Sequence, residues 1–156
     1  MKESLRARFV RLGFNLFPCY FASGARISYL ADDWGEIRIE LPLSLRSRNY
    51  GGTIFGGSMY AAVDPIYMLM LIKGLGPGYV VWDKAAAIRF RRPGRTTLHA
   101  RFVLPPGELA SIREALLTEP SLDRVYSVDL ADAQGTVHAT VEKTIYIARR
   151  AADGVE

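Results

Sequence analysis

One stretch restricts this chain more than any other. From Met59 to Ile72 nearly every residue is apolar, and a single charged side chain, Asp64, stands among them. Met59, Val63, Ile66 and Met70 recur near helical spacing with little polar relief on any face, which predicts a helix buried on all sides. A carboxylate in such a setting must be hydrogen-bonded, paired or chemically used, because burying it alone is very costly.

The residues just before this helix are as restrictive. Asn49-Tyr50-Gly51-Gly52-Thr53-Ile54-Phe55-Gly56-Gly57-Ser58 places a polar amide and two glycine pairs at the entry. Gly56 and Gly57 carry no Cβ, so a ligand atom can come close to the backbone there. The first N–H groups of a helix lack internal partners and sit at the positive end of its dipole, a place suited to an oxyanion. Asp64 follows Gly56 by eight residues, about two turns or ~12 Å along the axis. One chain cannot readily bring Asp64 to an oxygen held at its own Gly56. Two antiparallel copies can, which predicts a site shared across a dimer. Asp64-Pro65 has a plainer reading too, in which Asp64 caps a second helix and Pro65 occupies its first position.

Asn49, Gly52, Thr53, Gly56, Gly57 and Asp64, at this spacing, resemble the signature of PaaI-type hotdog-fold acyl-CoA thioesterases. The resemblance implies that the Gly56 N–H polarises a thioester carbonyl with help from Asn49. It also implies that Asp64 of the facing subunit acts as general base or nucleophile. Phe55 departs from the family, which usually has His there; a phenyl ring donates no hydrogen bond. The motif covers about a tenth of the chain.

The remaining elements fit the same architecture. Residues 4–17 read as an amphipathic helix with Leu5, Phe9, Leu12 and Leu16 on one face and Pro18 ending it; packing on the sheet is the favoured reading, a basic helix lying on a membrane the lesser one. Strands are expected at 25–30 and 36–41, joined by a hairpin, then at 79–91, 96–104, 123–130 and 136–148, with a short helix at 108–117. Small residues in the middle of the strand at 79–91 suggest close packing of the central helix over it. The expectation is α+β: one hotdog domain over residues 1–150, a long helix wrapped by an antiparallel sheet, with 151–156 a frayed tail.

Composition narrows the partners. The chain has 156 residues and a formal charge of +4, which suits an anionic ligand. Arg89, Arg91, Arg92 and Arg95 form its densest basic cluster, a solvated strand end or a set of donors for the phosphates of coenzyme A. With Gly57 and Phe55 they make up the expected substrate-binding set. Nucleic acid is not expected, since only Phe90 interrupts the arginines. Asp83 and Lys84 interrupt an apolar strand, either as an internal ion pair with other buried groups or as lining beside Asp64. His99 and His138 lack spaced partners for a metal and read as structural. The single cysteine, Cys19, forms no internal disulfide, favours a reducing compartment and reads as a buried apolar residue.

The sequence thus points to hydrolysis of acyl-CoA-type thioesters, with Asp64, Asn49 and Gly56 catalytic. The alternative is a non-catalytic acyl or CoA-binding module. No metal or separate cofactor is expected, coenzyme A being part of the substrate. A homodimer or dimer of dimers, a cytoplasmic location and no membrane contact complete the expectation, since no secretory or membrane-spanning segment is evident.

Overall fold

The structure, a computed structural model, describes residues 3–150, so the expected frayed tail at 151–156 lies outside the described residues. Its first element, α1 (Leu5–Leu16), begins at the N-cap Ser4, whose hydroxyl accepts from the Ala7 N–H. Pro18 does end α1, but it also opens a second short helix, α2 (Pro18–Ser23), that the sequence pattern did not disclose. Proline is favoured at a first helical position, where its missing N–H costs nothing. Cys19 in this helix is exposed, contrary to the buried setting expected for it.

Six strands follow: β1 (Arg26–Leu30), β2 (Glu36–Leu41), β3 (Tyr79–Phe90), β4 (Leu98–Val103), β5 (Ser121–Ala131) and β6 (Val137–Arg149). They form one antiparallel sheet in the order β1-β2-β4-β5-β6-β3, leaving β1 and β3 at its two edges. In β2, Ile37, Ile39 and Leu41 are buried, while Glu36 and Glu40 pair on the other face with Arg38, Arg101 and Arg26. This is the alternation that the strand period of two requires. Between β4 and β5 the register holds only one pair, His99 with Ala131. Tyr67 reaches into that seam, its hydroxyl 3.4 Å from the Ser127 carbonyl and its ring stacked on Tyr126.

The sheet wraps two helices, α3 (Gly56–Val63) and α4 (Ile66–Leu75), which are one helical rod interrupted at Asp64-Pro65. Both residues keep right-handed helical dihedrals, so the rod is interrupted without unwinding. Met59, Ala62, Val63, Ile66, Met70 and Leu71 face buried residues of β2, β4, β5 and β6 to form the core. A short helix, α5 (Glu108–Ala115), fills the connection between β4 and β5.

Two further expectations fail, both at the sheet edges. The apolar face of α1 does not pack on the sheet: Leu5, Phe9, Leu12 and Leu16 are between 53% and 74% exposed. The opposite face, with Ala7, Val10 and Phe14, turns inward instead. Its polar neighbours explain the choice. Asn15 Oδ1 accepts from the Ile27 N–H at 2.7 Å and its Nδ2 donates to the Ile27 carbonyl at 3.0 Å, while Glu3 accepts from the Leu30 N–H. These side chains satisfy the free edge of β1, which would otherwise present unpaired backbone groups. The second failure is at β3, where Ala85, Ala86 and Ala87 are exposed and nothing among the described residues covers them.

Candidate functional site

Asp64 does not cap α4. The N-cap position of that helix is Pro65, with no side-chain cap, and the Asp64 carboxylate points instead to Lys143 on β6. Lys143 Nζ lies 2.6 Å from Asp64 Oδ1, 3.0 Å from Asp83 Oδ1 and 3.4 Å from the Tyr60 hydroxyl. The lysine side chain is 1% exposed and the Asp64 side chain 41%, so the acid opens outward from a buried cation. The Asp83 contact is close but not aligned for a hydrogen bond, and Asp83 Oδ1 is buried without a donor. One ammonium therefore serves two carboxylates.

Each member is placed by strand parity. Ala139, Val141, Lys143, Ile145 and Ile147 alternate inward along β6, so Lys143 takes a core position between two aliphatic residues. In β3 the register shifts between Asp83 and Ala85. This irregularity keeps Asp83 on the helix side with Ala86, Ile88 and Phe90, and releases Lys84 outward to pair with Asp123. Burial lowers the ammonium's affinity for its proton, but the bonds and charges of Asp64 and Asp83 outweigh this and hold the Lys143 pKa above the usual lysine range. Burial raises the Asp83 pKa, an effect that Lys143 only partly offsets and the Asp64 charge reinforces. The Tyr60 hydroxyl is raised by burial and then by Asp64.

The entry to α3 is built from the Asn49 loop. Asn49 Oδ1 accepts from the Thr53 N–H at 3.0 Å and Nδ2 donates to Thr53 Oγ1 at 2.9 Å, so both ends of this amide brace their own turn. Gly52 takes φ of +75°, which closes that turn. The Phe55 N–H donates to the Ser47 carbonyl, and the first bond of α3 runs from the Met59 N–H to the Phe55 carbonyl. Among the described residues nothing accepts from the Gly56 or Gly57 N–H. Two phenyl rings wall this end: a Cβ at Gly57 would fall on the Phe55 ring, and one at Gly56 would fall 2.8 Å from the Phe90 ring.

The arginine cluster lies beside the same helix end. The Gly94 carbonyl accepts from the Ile54 N–H at 2.8 Å, tying the loop after β3 to the residues leading into Gly56. Arg91 donates through Nε to Thr140, and among the described residues Arg89, Arg91, Arg92 and Arg95 have no acidic partner. All four are exposed. His138 is fixed between the Pro93 carbonyl and Asp132, a bracing position. Among the described residues no cluster of His, Cys, Asp and Glu fits a metal ion.

The structure thus groups Asn49, Phe55, Gly56, Gly57 and the arginine loop at one end of α3, and Asp64, Asp83, Tyr60 and Lys143 at the other. Lys143 was not anticipated from the sequence. Its signal was the parity of β6, which puts it on the same face as Val141 and Ile145.

An interrupted central helix wrapped by an antiparallel sheet, with an open glycine turn at one end and an acid at the interruption, defines a hotdog-fold protein. Within that class the chain belongs to the family described as a domain of unknown function, DUF4442, whose model matches residues 6–147. No curated protein matches the sequence. A Pseudomonas aeruginosa protein of unknown function, PA5026, described as a probable thioesterase, has a similar structure. It aligns with a TM-score of 0.82 at 17% identity over 95% of this chain and 99% of its own. The Haemophilus influenzae thioesterase HI1161 aligns with a TM-score of 0.68 at 16% identity over 95% and 94%. A Chlorobaculum tepidum protein of unknown function aligns with 0.73 at 13% over 93% and 95%. At these identities the likeness establishes the fold. Among the described residues no helix is long and apolar enough to cross a membrane.

Proposed function

We propose that the protein hydrolyses acyl-CoA-type thioesters at a site completed by two subunits. The observation that carries this reading is the exposed edge of β3. Twelve residues long, it bears three exposed alanines and no proline to blunt pairing. A second copy joined antiparallel about those alanines brings the Asp83 end of one strand to the Arg89–Phe90 end of the other. Asp83 is linked through Lys143 to Asp64, and Phe90 touches Gly56. The pairing therefore closes the ~12 Å gap that separates Asp64 from a Gly56 N–H within one chain.

In the proposed reaction the thioester oxygen accepts from the Gly56 N–H, and the arginines at 89–95 meet the phosphates of coenzyme A. The Asn49 amide keeps the turn in shape; direct donation to the carbonyl requires Nδ2 to leave Thr53. Asp64 takes a proton from water as the oxygen of that water adds to the carbonyl carbon. Collapse of the tetrahedral intermediate breaks the carbon–sulfur bond, and the thiolate recovers the proton, leaving acid and free thiol. Lys143, 2.6 Å from Asp64 Oδ1, fixes the position of the carboxylate.

The alternative is an acyl or CoA-binding module without turnover. Phe55 supports it, because the ring gives no donor, and so does the short Lys143 contact, which occupies Asp64 Oδ1. A panel of acyl-CoAs from short through aromatic to long chains, read by thiol release, separates the two. Hydrolysis with a loss of ~100-fold or more in Asp64→Asn, with the cooperative thermal transition retained, supports the enzyme. A raised melting temperature with ligand and no thiol supports the binder. Neither signal rejects both.

A further inference from the structure

We propose that α1 docks the protein on an anionic phospholipid surface through its outward face. Leu5, Phe9, Leu12 and Leu16 recur at helical spacing and form one stripe along the helix, extended past its end by the exposed Phe17 and Phe21. At about 100° per residue, Arg6 and Arg8 fall on the two flanks of this stripe. The helix contains no acidic residue. Glu3, the acid nearest its start, is held by Arg11 at 2.8 Å and by the Leu30 N–H, with Arg8 Nε 3.9 Å away at the edge of ion-pair range, so Arg6 is the flank arginine free of it. Beyond α1, the Arg46 guanidinium stacks 3.9 Å over the Phe21 ring and extends the basic border. An apolar stripe rimmed by arginine, on a helix held in place by its opposite face, matches a bilayer interface in which acyl chains lie below and phosphates beside them.

A second copy of the chain is the poorer occupant. Two such stripes brought together place their arginines against one another, and the one acid beside them, Glu3, is already taken by Arg11 and Arg8 of its own chain. The edge offered to another copy, β3, lies at the far side of the sheet from β1, on which α1 packs. Pairing through β3 leaves the stripe uncovered. The sequence reading expected this face to pack on the sheet; it is turned to solvent.

The test is co-sedimentation of the full chain with vesicles of phosphatidylcholine alone and of phosphatidylcholine containing one quarter phosphatidylglycerol. The proposal expects binding to the anionic vesicles, little to the neutral ones, and release by raised salt. Phe9→Glu with Leu16→Glu should weaken partitioning ~100-fold or more while the melting temperature stays near wild type, because both positions are exposed. Arg6→Gln with Arg8→Gln should weaken it by about tenfold. Absence of binding to anionic vesicles, equal binding to neutral ones, or indifference to the Phe9 and Leu16 changes overturns the proposal. A fall in oligomeric size in the Phe9 and Leu16 variant without vesicle binding also overturns it and assigns the stripe to a second copy.

Discussion

Replacing Lys143 by methionine removes the one cation that two acids share. The Lys143 side chain is 1% exposed and its ammonium sits 2.6 Å from Asp64 and 3.0 Å from Asp83, so its loss leaves half-buried Asp83, with its Oδ1 buried, without a counter-charge. Breaking a buried ion pair from one side costs about 3–5 kcal/mol. The lower end applies here because Asp64 is 41% exposed and water can screen its share. A loss near 3 kcal/mol corresponds to a fall in Tm of about 6–12 °C for a domain of this size. The deficit should also depend on pH. Without the lysine, the folded-state pKa of Asp83 rises further above its unfolded value. A raised pKa contributes stability that is complete below the unfolded value, near 4, and is lost as pH climbs through the folded one. The variant should therefore lag wild type most at pH 7 and least near pH 4. Thermal or urea denaturation at the two pH values reads this directly. A Lys143→Met, Asp64→Asn, Asp83→Asn triple variant should recover most of the loss, since a neutral cluster leaves no orphan charge. A deficit under about 1 kcal/mol, one equal at both pH values, or a triple variant as weak as the single refutes the shared-cation account.

Two further outcomes follow from the scaffold. The Glu36 pKa is lowered to about 2, first by the Arg101 hydrogen bond and then by Arg38. A depressed acid stabilises above its unfolded pKa and loses that contribution as pH falls. Glu36→Gln should accordingly cost about 1 kcal/mol at neutral pH, kept small by exposure of both arginines, with the gap closing between pH 4 and 2 in acid denaturation. Gly24 has φ of +84°, and an added Cβ would lie 3.0 Å from Ser47 Cβ. Ser47 is held by its bonds to the Pro42 carbonyl and the Ser44 N–H, so it cannot yield, and Gly24→Ala should cost about 2 kcal/mol, measured as a Tm lower by about 4–8 °C.

What could be read in the sequence was whatever local chemistry determines. The glycine turn, the interruption at Asp64-Pro65 and the six strands follow from backbone preferences and period-two alternation, and their bounds shift by only a few residues. What could not be read depended on neighbours distant along the chain. The face that α1 buries was decided by Asn15 and Glu3 meeting the free edge of β1, a demand invisible in the helix itself. The alanines of β3 read as packed because small residues mark close approach, yet among the described residues they are exposed. Asp64 was recognisable as a group needing a partner, but its partner lay 79 positions further along. Cys19 was assigned to the interior by its residue type, whereas Pro18 starts a helix that carries it to the surface.

The lone register pair between β4 and β5 has a bearing on how this fold tolerates change. Elsewhere in the sheet a slip of one residue would turn every side chain of a strand to the wrong side. Here the ladder is all but cut, and Tyr67 spans the cut from the helix rather than from a strand. Insertions or deletions in the α5 connection are thus absorbed at the seam. The half that holds Asp83 and Lys143 keeps its sidedness, making this the natural splice point of the domain.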